Sequence, residues 1–208
     1  MKKKILIFFM AFAIILPGAF LLTACGKKEV KSTGISVVVN NVEGNIVNIN
    51  YTDYNGQFEP SYLSSLITVY LNKSDNTQSQ IDYGTNGYSV SGLPTVLNAN
   101  EQGYELTISY DNFSSKINLV VHKGEIDMSE VSWNYDASYH YTYNEYEYSV
   151  ELNNLPNGVT PNYTNNVKIN AGQYRAEVAF DYDTTNYKLV NINFDYYIDW
   201  QIEKKQID

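Results

Sequence analysis

The chain has 208 residues, with 14 lysines and arginines against 23 aspartates and glutamates, and a formal net charge of −9 at pH 7. Nucleic acids need a basic face for their phosphates, so this acidic balance argues against a nucleic-acid partner. Tyrosine is unusually abundant, at 20 residues, and it is enriched in strands. The composition therefore indicates a β-rich protein that carries many flat aromatic rings with polar tips.

The first 24 residues have the layout of a secretory signal. Lysines at positions 2–4 precede an apolar stretch that continues to Leu22 and is interrupted by Pro17-Gly18. The stretch ends in Leu22-Thr23-Ala24-Cys25-Gly26, which resembles the lipobox of bacterial lipoproteins position by position. That resemblance implies cleavage before Cys25 and a lipid attached to its sulfur. The alternative is an uncleaved transmembrane helix, since the apolar run is nearly long enough to span a bilayer.

A lipid on Cys25 has consequences for the rest of the chain. Removing residues 1–24 takes away three lysines and no acids, so the remaining 184 residues have a net charge of −12. Cys25 is the only cysteine, which excludes an internal disulfide and a cysteine-based metal site. We therefore predict a lipid anchor in the cell membrane, an extracytoplasmic location, a polar tether within residues 25–31 and no other cofactor.

Beyond the tether, apolar and polar residues alternate with a period of two, and helical periodicity is almost absent. This pattern is typical of half-buried antiparallel strands. It places Tyr104, Leu106, Ile108 and Tyr110 on one face of an early strand, and Tyr174, Ala176, Val178 and Phe180 on one face of a later strand. Near the C-terminus, Trp200 is in phase with Phe194, Tyr196, Ile198 and Ile202, so we predict that its ring is buried.

The strand spacing predicts two similar units, at residues 32–122 and 125–208, which are joined at 122–125. Tyr104 and Tyr174 each open an alternating run after a glycine-containing turn, and Leu93-Pro94 and Leu155-Pro156 precede those runs. Each unit is near 90 residues, a usual size for a seven-stranded sandwich. The predicted fold is therefore all-β, with two tandem immunoglobulin-like β-sandwiches after a cleaved lipoprotein signal peptide.

Residues 125–208 resemble the MBG-type bacterial Ig-like repeats. The matching segments are Asp127-Met128-Ser129, Tyr148-Ser149-Val150-Glu151-Leu152, Leu155-Pro156-Asn157-Gly158-Val159, Asn170-Ala171-Gly172-Gln173-Tyr174 and Asn186-Tyr187. Residues 32–122 resemble the group 3 bacterial Ig-like domain. The matching segments are Gly34-Ile35-Ser36-Val37, Gly87-Tyr88-Ser89-Val90-Ser91-Gly92, the run 103–110 and Leu119-Val120-Val121. Residues 57–80 fit that domain poorly. Both resemblances imply a sandwich used as a spacer or adhesive module, without catalytic residues.

A dense run of tyrosines between residues 135 and 148 is the predicted contact face. Tyr139, Tyr141 and Tyr143 share one face if the alternation holds. A strand with one buried face leaves the rings on its other face exposed. Exposed rings can stack on a glycan or the cell wall, or pack against a protein. The alternatives are that the rings only shield an edge strand, or that a turn at Asn144-Glu145 resets the register.

Asp181, Asp183 and Asn186 are a weak candidate for a cation site, because carboxylate and amide oxygens are ligands that Ca²⁺ accepts. The glycine and the late glutamate of an EF-hand loop are missing, so the alternative, a polar loop between strands, is favoured.

The sequence contains no arrangement typical of catalysis, and we interpret His122 and His140 as surface or strand residues. The leading hypothesis is a non-enzymatic surface lipoprotein for adhesion, ligand binding or spacing. The alternative is a small cell-envelope hydrolase or a solute-binding lipoprotein, either of which needs a deeper cleft.

Overall fold

The computed structural model describes residues 29–40, 43–54, 57–136 and 138–206. The predicted signal at 1–24 and the predicted lipidation site Cys25 lie outside these residues. Within the described ranges, no helix has both the length and the apolar character needed to cross a membrane.

The described residues before Lys123 form two sheets. One has the order β1-β3-β4, and the other has the order β2-β7-β6-β5, in which β2 and β7 are parallel and the remaining pairs are antiparallel. The strands are β1 (Ser32–Val39), β2 (Ile46–Asn50), β3 (Ile67–Lys73), β4 (Gln78–Ile81), β5 (Ser89–Ser91), β6 (Asn100–Tyr110) and β7 (Phe113–His122).

A single cluster of buried side chains lies between these two sheets. Leu106 and Ile108 of β6 are fully buried, as the period-two pattern predicts, and Tyr104 and Tyr110 on the same face are half-buried. Full burial of such an aliphatic side chain stabilises the fold by roughly 1.5–3 kcal/mol. Strands β6 and β7, which contribute many of these residues, are also the two central strands of the β2-β7-β6-β5 sheet.

A short helix, α1 (Pro60–Leu66), departs from the purely alternating pattern expected here. It begins with Pro60 in its first turn, where the missing N–H of proline costs nothing, and it buries only Leu63. It ends at Ile67, which is extended and starts β3. A helix of seven residues is too short to produce a recognisable helical period, and this explains why it escaped prediction.

The described residues after Lys123 form ten strands, most of them short. A four-stranded sheet has the order β10-β17-β15-β13, and three two-stranded pairings join β8 to β16, β9 to β12 and β11 to β14. The strands are β8 (Gly124–Asp127), β9 (Ser132–Trp133), β10 (Tyr141–Thr142), β11 (Tyr148–Ser149), β12 (Leu152–Asn153), β13 (Thr160–Thr164), β14 (Val167–Lys168), β15 (Gly172–Asp181), β16 (Tyr187–Val190) and β17 (Tyr197–Glu203).

Two smaller buried clusters stabilise this second part. One contains Trp200, which is 2% exposed, together with Tyr135, Val150, Ala176 and Ile202, and the other contains Met128, Val131, Leu152 and Val178. The predicted burial of Trp200 is therefore confirmed. The predicted face extends too far upstream, because β17 begins only at Tyr197 and Tyr196 is 47% exposed.

The all-β fold is confirmed. Among the described residues, every strand pairing joins strands on the same side of Lys123. Only this residue separates the end of β7 from the start of β8. The division into two immunoglobulin-like sandwiches, with boundaries at 32–122 and 125–208, stays a prediction.

Candidate functional site

The tyrosine-rich segment 135–148 does not form one long strand. In the described part of this segment, Tyr141 and Thr142 pair in parallel with Ile202 and Glu203 of β17, and Tyr148 pairs with Lys168 of β14. Short polar side chains close turns on both sides: the Asp136 carboxylate accepts from the Ser138 N–H (2.8 Å), and the Asn144 side-chain oxygen accepts from the Tyr146 N–H (3.0 Å). The alternation therefore breaks twice, and the second break is a turn at Asn144-Glu145.

Tyr139, Tyr141 and Tyr143 consequently have different environments. Tyr139 is 64% exposed, whereas Tyr141 and Tyr143 are half-buried and pack against the cluster around Trp200. Tyr141 stacks on Tyr148 with ring centroids 4.4 Å apart, and burial together with the neighbouring tyrosines raises the pKa of Tyr141. The three rings therefore do not present one outward face, and their role as ligand contacts stays a prediction.

Serine substitutions distinguish the exposed ring from the packed ring. We expect Tyr139→Ser to change the free energy of unfolding by no more than about 0.5 kcal/mol, because the ring is mostly in solvent. We expect Tyr141→Ser to lower it by roughly 2 kcal/mol, because the stacked, half-buried ring is lost. Chemical denaturation followed by circular dichroism measures both values, and equal losses would contradict the different packing of the two rings.

Next to this aromatic cluster lies an open cavity of about 550 Å³. We call it the β15-β17 cavity. Three aromatic residues and five polar ones line it: Tyr135, Tyr174 and Trp200, and His140, Gln173, Arg175, Asp199 and Gln201. The cavity forms where β10 pairs only with the last residues of β17, so that residues 199–201 are left beside the loop containing His140.

Four of the five polar residues of the β15-β17 cavity are cross-strand partners. Gln173 lies opposite Gln201, and Arg175 lies opposite Asp199. The guanidinium of Arg175 donates from Nε and Nη2 to the two carboxylate oxygens of Asp199, at 2.8 and 2.9 Å, and it lies 4.3 Å from the ring centre of Tyr197. These hydrogen bonds lower the pKa of Asp199 and raise the pKa of Arg175. This group was not predicted from the sequence, although the alternation in both strands places its members on the polar face.

The oxygens of Asp183 and Asn186 are engaged within the protein. The Asp183 carboxylate accepts from the N–H groups of Thr185 (3.1 Å) and Asn186 (3.2 Å) and from the Asn186 side chain (2.9 Å), and these hydrogen bonds lower the pKa of Asp183. Asp181 lies at the end of β15, opposite Thr160. In the described part of the chain, no three His, Cys, Asp or Glu side chains are grouped so as to hold a metal ion. The arrangement is that of a polar turn.

Asn186 instead connects the two parts of the chain. It is 6% exposed, its side-chain oxygen accepts from the Ala99 N–H at 2.8 Å, and its amide nitrogen donates to the Asn98 side chain at 3.2 Å. Its backbone oxygen accepts from the Gly124 N–H at 2.8 Å. A buried polar residue with all of these partners fixes the loop before β16 against the loop before β6.

Further contacts surround Asn186 and complete what we call the junction. Tyr51 packs edge-on against Tyr187, with ring centroids 5.5 Å apart, and the Lys123 ammonium donates to the Thr184 carbonyl at 2.6 Å. The ring nitrogens of His122 lie within hydrogen-bonding distance of Glu101 (2.7 Å) and Asn48 (3.2 Å). The hydrogen bond between His122 and Glu101 lowers the pKa of Glu101. His122 is thus a structural residue at the junction, while His140 contacts the Tyr135 hydroxyl at 3.3 Å.

Comparison with known proteins adds no relative. No family model, no curated protein and no solved structure matches this chain. The resemblances to the MBG-type and group 3 Ig-like families therefore stay predictions.

Proposed function

We propose that this chain is a non-enzymatic surface lipoprotein in which two immunoglobulin-like sandwiches act as a stiff presenting module at the outer face of the cell membrane. The observation that carries the proposal is the junction. Its buried Asn186, the Tyr51–Tyr187 ring pair and the Lys123–Thr184 hydrogen bond resist bending between the two parts. A flexible linker would instead be exposed and rich in small or polar residues.

The position of the first strand supports a short distance from the membrane. Cys25 is the proposed anchor, and β1 begins at Ser32, so six residues separate them. The seven Cα–Cα steps from Cys25 to Ser32 span at most about 25 Å when fully extended. The first sheets would therefore lie close to the lipid headgroups, and the second part of the chain would be the one presented outward. The net charge of −12 beyond residue 24 keeps the module from adhering to an anionic membrane surface.

The anchor is tested by replacing its sulfur. We expect Cys25→Ser to accumulate as an uncleaved precursor that takes up no labelled fatty acid, because a hydroxyl does not form the thioether. Ser32→Ala, a small change just beyond the tether, serves as the control and should be processed and labelled like the original chain. Metabolic labelling and the electrophoretic size of the product measure the result, and labelled Cys25→Ser protein would refute the anchor.

A further inference from the structure

Strand β1 leaves one edge of its sheet open. In the order β1-β3-β4 it has a partner on one side, and in the described ranges no strand pairs with its other side. Its eight residues make it the longest of the described strands that lie at a sheet edge. An unpaired edge carries a row of free N–H and C=O groups that can pair with another chain.

The register determines which backbone groups of β1 face this open edge. The Asn40 N–H donates to the Leu66 carbonyl at 2.8 Å, and residues 34–39 continue the same register with β3. The even-numbered residues therefore exchange hydrogen bonds with β3, and the residues between them direct their N–H and C=O groups the opposite way. Ile35 and Val37 thus present their backbone groups to the open edge, while their half-buried side chains pack against the core.

This edge lacks the features that keep natural edges from pairing, which are charge, proline and shortness. Residues 32–42 contain neither a charged side chain nor a proline, and the one irregularity in the pairing of β1 lies before Gly34. Val38 is 48% exposed although it is apolar and β-branched. The edge strand β13, by comparison, is shorter and contains Pro161. Strand β1 is therefore suited to pairing with a further strand.

The sequence of β1 is complementary to a second copy of itself. When two copies pair antiparallel about a two-fold axis at Ser36, Ile35 of each lies opposite Val37 of the other, and each such pair exchanges both of its backbone hydrogen bonds. Val38 then lies opposite Gly34 of the second copy, where no side chain opposes it. The two β1-β3-β4 sheets become one continuous sheet, and the two-fold symmetry closes the assembly as a dimer rather than a fibre.

We propose that two copies of this chain associate on the membrane through their β1 strands, edge to edge. The proposal rests on the lipid anchor of the proposed function, because a single strand pair is smaller than the interface of a stable dimer, and confinement to one surface raises the effective concentration. The two Ser32 residues would lie about 27 Å apart and at one height above the membrane. The tether from Cys25, at most about 25 Å long, lets both lipids enter the same bilayer.

A disulfide across the axis tests this geometry in the membrane. Opposed residues at position 36 form a non-hydrogen-bonded pair with Cα atoms about 4.5 Å apart, within the range that a disulfide spans. We expect the full chain with Ser36→Cys, expressed in bacterial cells and treated with the thiol oxidant diamide, to run mainly at twice its mass on a non-reducing gel. Ser89→Cys, which changes an exposed serine on the edge strand β5, and the original chain, which retains Cys25, should remain monomeric.

Charges at position 36 provide a second test. Like charges that lie directly opposite each other on paired strands are destabilising, whereas opposite charges stabilise the pair. We expect Ser36→Lys or Ser36→Glu alone to lower the dimer fraction about fivefold, and a mixture of the two variants to restore it. Energy transfer between dyes attached at Ser89→Cys, in lipidated chains reconstituted in phosphatidylcholine vesicles, measures the dimer fraction, and thermal melting checks that each variant is folded.

Two results would overturn the proposal. One is a Ser36→Cys chain that takes up labelled fatty acid and yet gives no more disulfide-linked dimer than Ser89→Cys. The other is energy transfer that is the same in Ser36→Lys, in Ser36→Glu and in their mixture. Fatty-acid labelling of the same samples reports on the anchor separately. A labelled but monomeric chain refutes the pairing and leaves the presenting role intact, whereas an unlabelled chain refutes the anchor and with it the basis of the pairing.

Discussion

Replacing Trp200 by alanine is expected to lower the free energy of unfolding of the second part of the chain by about 3–5 kcal/mol. The ring is the largest member of its buried cluster and contacts Tyr141 and Tyr174, with ring centroids 6.1 and 5.3 Å away. Alanine would leave a cavity that the surrounding side chains can fill only partly. Single domains are commonly stable by only about 5–15 kcal/mol, so this loss is a large fraction of the free energy of unfolding.

Trp200→Phe is the matched control for this result. Phenylalanine keeps an aromatic ring in the cluster and removes the indole Nε1, which is buried without a hydrogen-bond partner. We expect the free energy of unfolding to fall by less than about 1.5 kcal/mol. The loss of buried apolar area destabilises the variant, but removal of the unpaired indole N–H partly offsets this loss. Denaturant titration followed by circular dichroism measures both variants. A loss under about 1 kcal/mol for Trp200→Ala would contradict the central place of the ring.

Replacing Asn186 by alanine is expected to lower the free energy of unfolding by about 2–3 kcal/mol and to loosen the junction. The substitution leaves the Ala99 N–H without its acceptor and removes the donor to Asp183 and Asn98. Amide exchange should rise at Ala99 and at Gly124, whose N–H donates to the Asn186 carbonyl. Hydrogen-exchange mass spectrometry and chemical denaturation measure the two effects.

Asn162→Ala provides the comparison for Asn186. Asn162 lies on β13, and its side chain is exposed, so its removal should change stability by no more than about 0.5 kcal/mol. Its amide exchange should match that of the original chain throughout the junction. If Asn186→Ala behaves like Asn162→Ala in both measurements, the buried amide does not hold the two parts together, and the stiff presenting module loses its main support.

The alternation in the sequence predicted the long strands well. Leu106 and Ile108 in β6, and Ala176 and Val178 in β15, are buried because a strand with one solvent face must alternate. Trp200 followed from the same rule. The pattern failed around Tyr139 because the side chains of Asp136 and Asn144 close local turns. The alternating residues between and after these turns therefore do not belong to one continuous strand.

The candidate sites depended on contacts that no local pattern encodes. Asn186 and Ala99 are 87 positions apart, so the use of that amide as a junction residue is invisible without the fold. The β15-β17 cavity likewise needs the register that sets Gln173 beside Gln201, and the incomplete pairing of β10 that opens the edge of β17. Polar residues on an exposed strand face look alike in sequence, whether they line a cavity or only meet water.

The close succession of β7 and β8 determines how the protein carries mechanical load. With one residue between them, a pull along the chain passes from one strand directly into the next. Each of the two strands is also paired in parallel, β7 with β2 and β8 with β16. Tension directed along either strand therefore shears its ladder, and the hydrogen bonds share the force rather than opening in succession. A molecule that is tethered at one end and pulled at the other would therefore resist a high force and then unfold in one cooperative step.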